Sequence, residues 1–194
     1  EGDFPSCVPK TDEVRVQKVG KQLAEHEGEL VYISEKLEGT SLTFVYRNTG
    51  NWLASLFGKD YTFQICSRNR IVYNSRSGAA MPNHYGCEMN DKYSILNGMK
   101  SLKRNLAIQG ECIGEKIQGN IYNINGKDFR AFLIYDIDAQ EYLPFADFLH
   151  ITMLLNIPTV PILNINTPLV NDIKYYVELS KGMSELNPLV KREG

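Results

Sequence analysis

Lys36 is the residue of this sequence best suited to covalent chemistry. It stands in the segment Glu35-Lys36-Leu37-Glu38-Gly39, between two stretches that alternate apolar and polar residues. A lysine amine can attack phosphorus to give a phosphoramidate, provided that the site lowers its pKa from the ordinary value of about 10.4. Gly39 leaves room beside a phosphate and eases the turn that directs Lys36 into a pocket. A surface lysine before a hairpin glycine is the alternative, and this segment alone leaves it open.

Four more short elements follow Lys36 along the chain. They are Ser67-Arg68-Asn69, Ile108-Gln109-Gly110-Glu111-Cys112-Ile113-Gly114, Phe132-Leu133-Ile134-Tyr135-Asp136-Ile137 and Arg192-Glu193-Gly194. In kind and in order they resemble the motifs of the covalent nucleotidyltransferases, the superfamily of ATP- or NAD-dependent ligases and mRNA capping enzymes. Each element alone is a weak signal, and their common order makes the resemblance specific.

Outside these elements, the chain resembles a smaller group within the superfamily, and this resemblance covers nearly the whole chain. RNA ligases whose catalytic domain follows an extra N-terminal domain have similar segments at Phe4-Pro5-Ser6, Pro9-Lys10-Thr11-Asp12-Glu13, Val16-Gln17 and Ile117-Gln118-Gly119-Asn120. Ser41 stands where DNA ligases usually carry an arginine, which favours the RNA ligases. Glu38 stands where relatives often have aspartate, so that a carboxylate is kept at this position.

The resemblance implies an ATP-dependent RNA ligase that uses ATP and Mg²⁺ or Mn²⁺. Lys36 would take AMP from ATP and pass it to a 5′-phosphate, and a 3′-hydroxyl would then seal the strand and release AMP. The expected substrate is RNA or an RNA-containing nicked duplex, as in RNA repair. A DNA ligase, an mRNA capping guanylyltransferase and a non-catalytic nucleotide- or RNA-binding module of the same fold are the alternatives.

Roles in nucleotide binding follow from the resemblance for Glu35, Gly39, Arg68 and Tyr135. An arginine such as Arg68 can clamp a phosphate with two hydrogen bonds, although a surface ion pair is the alternative. The ring of Tyr135 is expected to stack on adenine. Phe132 should point to the opposite face of the same strand, and we expect it to belong to the core.

Glu111 and Glu193 are the predicted carboxylates of the site. Glu111 lies near the end of an apolar strand, where an unpaired buried carboxylate is costly, so we expect it to face a ribose hydroxyl or a hydrated cation. A structural salt bridge is its alternative role. The resemblance implies that Glu193 binds a hydrated Mg²⁺ or Mn²⁺, since carboxylates suit these cations. Both residues are therefore predicted to contact the nucleotide and, through water, the metal.

Hydrophobic periodicity predicts the elements that position these side chains. It predicts a helix from Thr11 to about Glu25, strands at 29–35, 41–47, 61–67, 107–113 and 129–137, a polar loop at 70–90, and helices at 91–106, 143–155 and 170–182. This mixture predicts the α+β class, with largely antiparallel sheets flanked by helices. The resemblance implies the nucleotidyltransferase fold, which is ATP-grasp-like. The helix at 91–106 carries Lys100, Lys103 and Arg104, a basic face that could follow a phosphate backbone, although a solvated face is the alternative.

Composition is typical of a soluble globular protein, with 43% hydrophobic and 23% charged residues in 194. No apolar run reaches the roughly 20 residues of a membrane span. The net charge of -2 gives no global attraction to nucleic acid, so that binding of a polyanion must depend on a local patch. The four cysteines lack metal-ligand or disulfide spacing, which predicts reduced thiols in an intracellular protein, in the cytoplasm or nucleus. We expect a monomer.

Residues 1–194 are expected to form one catalytic domain that is incomplete at its C-terminus. The chain begins at Glu1 without an initiator Met, and it ends just after the Glu193 element. Ligases of the superfamily carry a further pair of lysines downstream of that element. We therefore expect a fragment of a longer enzyme, inactive alone because those cations are missing.

Overall fold

The computed structural model describes residues 2–11, 14–50, 60–75 and 84–194. The strands are β1 (Gly2–Asp3), β2 (Leu30–Ser34), β3 (Thr40–Asn48), β4 (Tyr61–Ser67), β5 (Arg70–Asn74), β6 (Leu106–Gly114), β7 (Lys127–Asp136), β8 (Glu141–Tyr142) and β9 (Ile162–Pro168). The helices are α1 (Gly20–Glu25), α2 (Tyr85–Tyr93), α3 (Ile95–Leu102), α4 (Phe145–Leu154) and α5 (Ile173–Leu179), with short 3-10 turns at Val16–Lys18 and Gln118–Asn120. The described residues contain no helix long and apolar enough to cross a membrane.

Two antiparallel sheets organise the protein. The first has seven strands in the order β1-β5-β4-β3-β6-β7-β8, and the second contains only β2 and β9. Every neighbouring pair in both sheets is antiparallel. Together with the helices, this confirms the α+β class and the largely antiparallel sheets.

The main core fills one face of the seven-stranded sheet. Phe44, Ile108 and Phe129 point from the sheet into this core, and α2, α3 and α4 cover it with Met89, Ile95, Met99, Phe148 and Ile151. The opposite face carries the alternate residues of the same strands, because side chains alternate across a sheet. A smaller apolar cluster, with Val45 and Ala107 beneath Val8, lies on that opposite face.

The predicted strands at 61–67, 107–113 and 129–137 and the predicted helix at 143–155 are confirmed within a few residues at their ends. The helix predicted at 170–182 is shorter, at 173–179, and β1, β8 and β9 were not predicted. The strands at 29–35 and 41–47 form, but they do not pair with each other. One lies in the small sheet and the other is central in the large sheet.

The polar loop predicted at 70–90 is wrong. Arg70 to Asn74 form β5, which pairs with β4, and residues 85–90 begin α2, while residues 76–83 lie outside the described part of the chain. The N-cap of α2 is His84, whose ring nitrogen Nδ1 accepts from the backbone N–H of Gly86 at 3.0 Å. Histidine is not among the usual capping residues, so the helix start has no ordinary signal in the sequence.

Two predicted helices are also shorter than expected. The helix at 91–106 is divided at Ser94, which has a left-handed φ of 50°, and it ends before Lys103, with a φ of 53°. The helix predicted from Thr11 begins only at Gly20, after the 3-10 turn, and Asp12 and Glu13 lie outside the described residues. Because Lys103 and Arg104 follow the end of α3, the predicted basic residues do not share one helix face.

Candidate active site

Lys36 lies in the loop that crosses from the small sheet to the large one. Its backbone N–H donates to the carbonyl of Gly194 at 2.8 Å, and its Nζ forms an ion pair with the carboxylate of Glu193. The lysine and glutamate elements predicted from the sequence therefore meet, although 157 residues separate them. The Lys36 side chain is 47% exposed, so that a ligand has access to its amine.

Contacts from distant segments hold the backbone on both sides of Lys36. The N–H of Glu35 donates to the carbonyl of Pro161 at 2.9 Å, and the N–H of Glu38 donates to the hydroxyl of Tyr122 at 2.7 Å. Leu37 is buried, and it packs against Tyr122 in an apolar cluster below the loop. Lys36 is thus exposed on a backbone that is fixed, an arrangement that suits a covalent catalyst.

Glu35 is buried beneath this loop. Its Oε2 accepts from the N–H of Glu185 at 2.9 Å, whereas its Oε1 has no hydrogen-bond partner among the described residues. A buried carboxylate oxygen without a partner costs free energy unless a donor reaches it. Oε1 of Glu35 is therefore a buried acceptor that lacks a donor among the described residues.

Glycine is needed at position 39 because the backbone there lies very close to strand β6. A Cβ at this position would contact the carbonyl oxygen of Cys112, and it would lie 2.8 Å from Cγ of Glu111. The φ of Gly39 is not in the left-handed region, so glycine is not needed here for a left-handed backbone conformation. The glycine instead lets the Lys36 loop lie against the strand that carries Glu111.

Glu111 lies on β6 directly opposite Ser41 of β3, near the end of both strands that faces Lys36. The pKa of Glu111 is raised from 4.5 to about 7, chiefly because the carboxyl group is buried. The negative charge of Glu193 also raises this pKa, whereas the positive charges of Lys36 and Arg68 lower it. The charges of these three residues reach Glu111, so the structure brings Lys36, Glu111, Glu193 and Arg68 into one site. A carboxylate poised near neutral pH is frequent in functional sites.

We expect Glu111→Gln to change the pH dependence of stability. Because its pKa is higher in the folded state, the folded protein binds more protons than the unfolded chain between about pH 4.5 and 7, and the wild-type free energy of unfolding should fall as pH rises through this window. At pH 8, urea unfolding should show the Glu111→Gln protein to be more stable by on the order of 2 kcal/mol. The two proteins should be equal near pH 4.5, and equal destabilisation of the variant at both pH values would contradict this assignment.

Tyr135 and Phe132 both lie on β7, but in different surroundings. Tyr135 is opposite Ala107 of β6, four residues from Glu111 along that strand, which is roughly 13 Å. A cavity of about 300 Å³ adjoins Tyr135 below the N-terminal segment. Phe132 lies at a β-bulge that interrupts the period-two alternation, and it packs against the cluster of Leu37 and Ile113 under the Lys36 loop. The expected opposite orientation of Phe132 is therefore wrong at the bulge, because the extra residue there shifts the alternation.

The predicted basic residues lie away from this site. Helix α3 packs through Ile95 and Met99 on the core face of the sheet, opposite the face of Glu111. Lys100 lies over the ring of Tyr61 at 4.8 Å, and Arg104 pairs with Asp136 at 2.7 Å. These contacts favour the alternative of a structural and solvated surface over a track for a phosphate backbone.

A fixed and exposed lysine, two carboxylates and an arginine at the junction of two antiparallel sheets are the features expected of a covalent nucleotidyltransferase. The family model for RNA ligase matches residues 29–194. The chain belongs to the RNA ligase family.

Solved structures support this membership over the whole chain. A variant of Naegleria gruberi RNA ligase with ATP and Mn is 33% identical, with a TM-score of 0.82, over 100% of this chain and 53% of that one. A second variant with AMP and Mn and the same protein with PPi each give a TM-score of 0.84 at 33% identity, over 100% and 53% of the two chains. This chain thus spans about half the length of those proteins. A comparison with curated protein sequences gave no significant match.

Proposed function

We propose that residues 1–194 provide the nucleotidyltransferase domain of an ATP-dependent RNA ligase in which Lys36 accepts AMP from ATP. The observation that carries this proposal is the meeting of Lys36 with Glu193 and Gly194, beside Glu111 and Arg68, in a chain of the RNA ligase family. The similar solved structures that contain ATP, AMP or PPi support the nucleotide as ligand.

The proposed reaction has three transfers. The neutral amine of Lys36 bonds to the α-phosphorus of ATP, and the bond to the leaving pyrophosphate breaks. An oxygen of a 5′-phosphate then takes the AMP from Lys36, and a 3′-hydroxyl finally attacks that phosphate and releases AMP. Arg68 is proposed to hold phosphate oxygens, because its guanidinium can donate two parallel hydrogen bonds to them.

Glu111 and Glu193 fit a role in holding Mg²⁺ or Mn²⁺. The described residues contain no group of three or more His, Cys, Asp or Glu that could hold a metal ion directly. Two neighbouring carboxylates suit contact through water, which hard cations retain readily. A bound cation would neutralise charge on the α-phosphate and the leaving pyrophosphate. A bound cation would also compete with the Lys36 ammonium for the two carboxylates, which favours the neutral amine.

Glu35 is proposed to select adenine. A carboxylate oxygen accepts hydrogen bonds, and the buried Oε1 of Glu35, which has no partner among the described residues, would suit a donor such as the 6-amino group of adenine if adenine reached it. The 6-oxo group of guanine would bring two acceptors together at this position. Labelled ATP should therefore leave its nucleotide on the protein and labelled GTP should not, which also separates a ligase from a capping enzyme.

The two aromatic side chains of β7 give a direct test of the adenine position. If Tyr135 stacks on adenine, Tyr135→Ala should weaken ATP binding by roughly 1 to 3 kcal/mol, whereas Phe132→Ala should chiefly lower the melting temperature. Isothermal titration with ATP and thermal unfolding of both variants measure the difference. The opposite pattern would place adenine over Phe132, beside Leu37, and would remove Tyr135 from the site.

The finer properties of the proposed ligase concern its substrate and setting. We propose that it acts as a monomer within the cell on RNA or on nicked duplexes with RNA at the 3′-hydroxyl side. The test is sealing, by the full-length protein, of matched nicks with either ribose or deoxyribose at that side, since only a 2′-hydroxyl distinguishes them. Equal sealing of both nicks would overturn the RNA specificity and leave the transfer of AMP to Lys36 intact.

A further inference from the structure

Residues 4–11, which contain a turn closed by the N–H of Val8 and the carbonyl of Pro5 at 3.3 Å, form a strap across the sheet face that carries Glu111. Gln109, which shares that face with Glu111 and is fully buried, donates from Nε2 to the carbonyl of Pro9 at 2.8 Å. Further along the strap, the hydroxyls of Thr11 and Ser41 are 3.3 Å apart, and Ser41 is the residue opposite Glu111. The strap therefore reaches the edge of the Lys36 site.

The strap is also joined to the turn that carries Arg68. Lys10 donates from Nζ to the side-chain oxygen of Asn69 at 3.0 Å, and the N–H of Phe4 donates to the carbonyl of Asn69 at 3.2 Å. Asn69 follows Arg68 directly, and the charge of Arg68 reaches Glu111. Lys10 is thus held against the turn that carries Arg68.

Lys10 differs from several other lysines of the chain in its partner. Lys36, Lys92 and Lys127 each form an ion pair with a carboxylate. Lys10 is exposed, and within the described ranges, which leave out Asp12 and Glu13, its hydrogen bond goes to an amide and it forms no ion pair. An ammonium has three N–H donors, so that two of those on Lys10 remain for an anion.

We propose that Lys10 binds the 5′-phosphate of the RNA strand that receives AMP, which rests on the proposed function of the chain. In that step, an oxygen of the 5′-phosphate forms a bond to the phosphorus of the AMP on Lys36. The bond between that phosphorus and Nζ of Lys36 breaks, and the released amine takes up a proton. Lys10 holds the attacking dianion beside Arg68, and it is not needed when ATP first reacts with Lys36.

The test separates loading with AMP from transfer to RNA in the full-length protein. Each protein is loaded from ATP, freed of ATP, and mixed with 5′-phosphorylated RNA, and the rate of AMP transfer is measured in a single turnover. Lys10→Gln retains an amide donor for Asn69 but removes the charge, whereas Lys10→Arg retains the charge. Lys21→Gln is the matched control, since Lys21 is an exposed lysine that pairs with Glu25 within helix α1.

Lys10→Gln should load at the wild-type rate and transfer AMP about tenfold more slowly, because a contact to a charged phosphate is lost. The slope of log Kd for the RNA against log salt should fall by about 1. Lys10→Arg should transfer nearly as wild type, and Lys21→Gln should be unchanged. Wild-type transfer by Lys10→Gln, or an equal loss of loading and transfer, would overturn the inference about Lys10 but not the proposed function. A wild-type protein that takes up no AMP would overturn the proposed function and this inference with it.

Discussion

Lys36→Ala should abolish the covalent adduct between the full-length protein and AMP. Removing a catalytic nucleophile commonly costs more than about 10⁴-fold in rate, because no other group replaces the bond that it forms. Mass spectrometry of the protein after incubation with ATP and Mg²⁺ or Mn²⁺ measures the adduct directly. The wild-type protein should gain the mass of one AMP, and the variant should gain none.

Lys92→Ala is the control for this experiment. Lys92 is also a lysine in an ion pair, with Asp128, but it lies on α2 and is not part of the site. Its substitution should leave the adduct unchanged. An AMP mass that persists in Lys36→Ala would move the nucleophile to another residue and would remove the basis of the proposed function.

Glu193→Gln should slow the formation of the adduct by about 10²- to 10³-fold, the range for the loss of one group that stabilises transition-state charge. The change keeps the size of the side chain but removes the charge that pairs with Lys36 and that would help to hold the cation. The rate of adduct formation, measured against the concentration of Mn²⁺, should need more metal to reach half of its maximum.

Glu178→Gln is the matched control, because Glu178 pairs with Lys181 at 2.5 Å on an exposed helix surface. Surface pairs of this kind contribute little, so its rate should equal that of the wild type. If Glu193→Gln reacted at the wild-type rate with the same metal dependence, Glu193 would only form the ion pair with Lys36 in the protein without nucleotide. Its proposed part in binding the cation would then be wrong.

The sequence predicted the strands of the large sheet better than the elements that join them. Ile108 and Phe129 lie in long apolar runs that can be buried only in a sheet interior, so strands β6 and β7 are evident from pattern alone. The start of α2 at His84 and its separation from α3 at Ser94 depend on a ring-nitrogen cap and a left-handed residue. Neither feature leaves a periodic signal.

The residues with predicted chemistry were easier to find than the residues that support them. Family resemblance identified Lys36, Glu111 and Glu193, which the structure brings together. Tyr122, whose hydroxyl fixes the Lys36 loop, lies in a turn-rich stretch 84 residues from its partner, with no motif to mark it. Its contact depends on tertiary packing, which a single sequence does not reveal.

The prediction for Phe132 failed for a local reason. A strict period of two places it on the face opposite Tyr135, but the pairing of β6 with β7 shifts between Gln109 and Gly110. Gly110 closely faces the ring of Phe129 and the carbonyl of Arg130, where any side chain would collide. Bulges are frequent beside functional sites, where they redirect a side chain.

The separation of Lys36 from Glu193 along the chain has a consequence during synthesis of the protein. At roughly 5 to 20 residues per second, a ribosome adds the 157 residues between them in roughly 8 to 30 s. During that interval the nascent chain contains Lys36 without the carboxylate that pairs with it or the carbonyl of Gly194 that holds its backbone. The site is therefore assembled only after translation has passed residue 194.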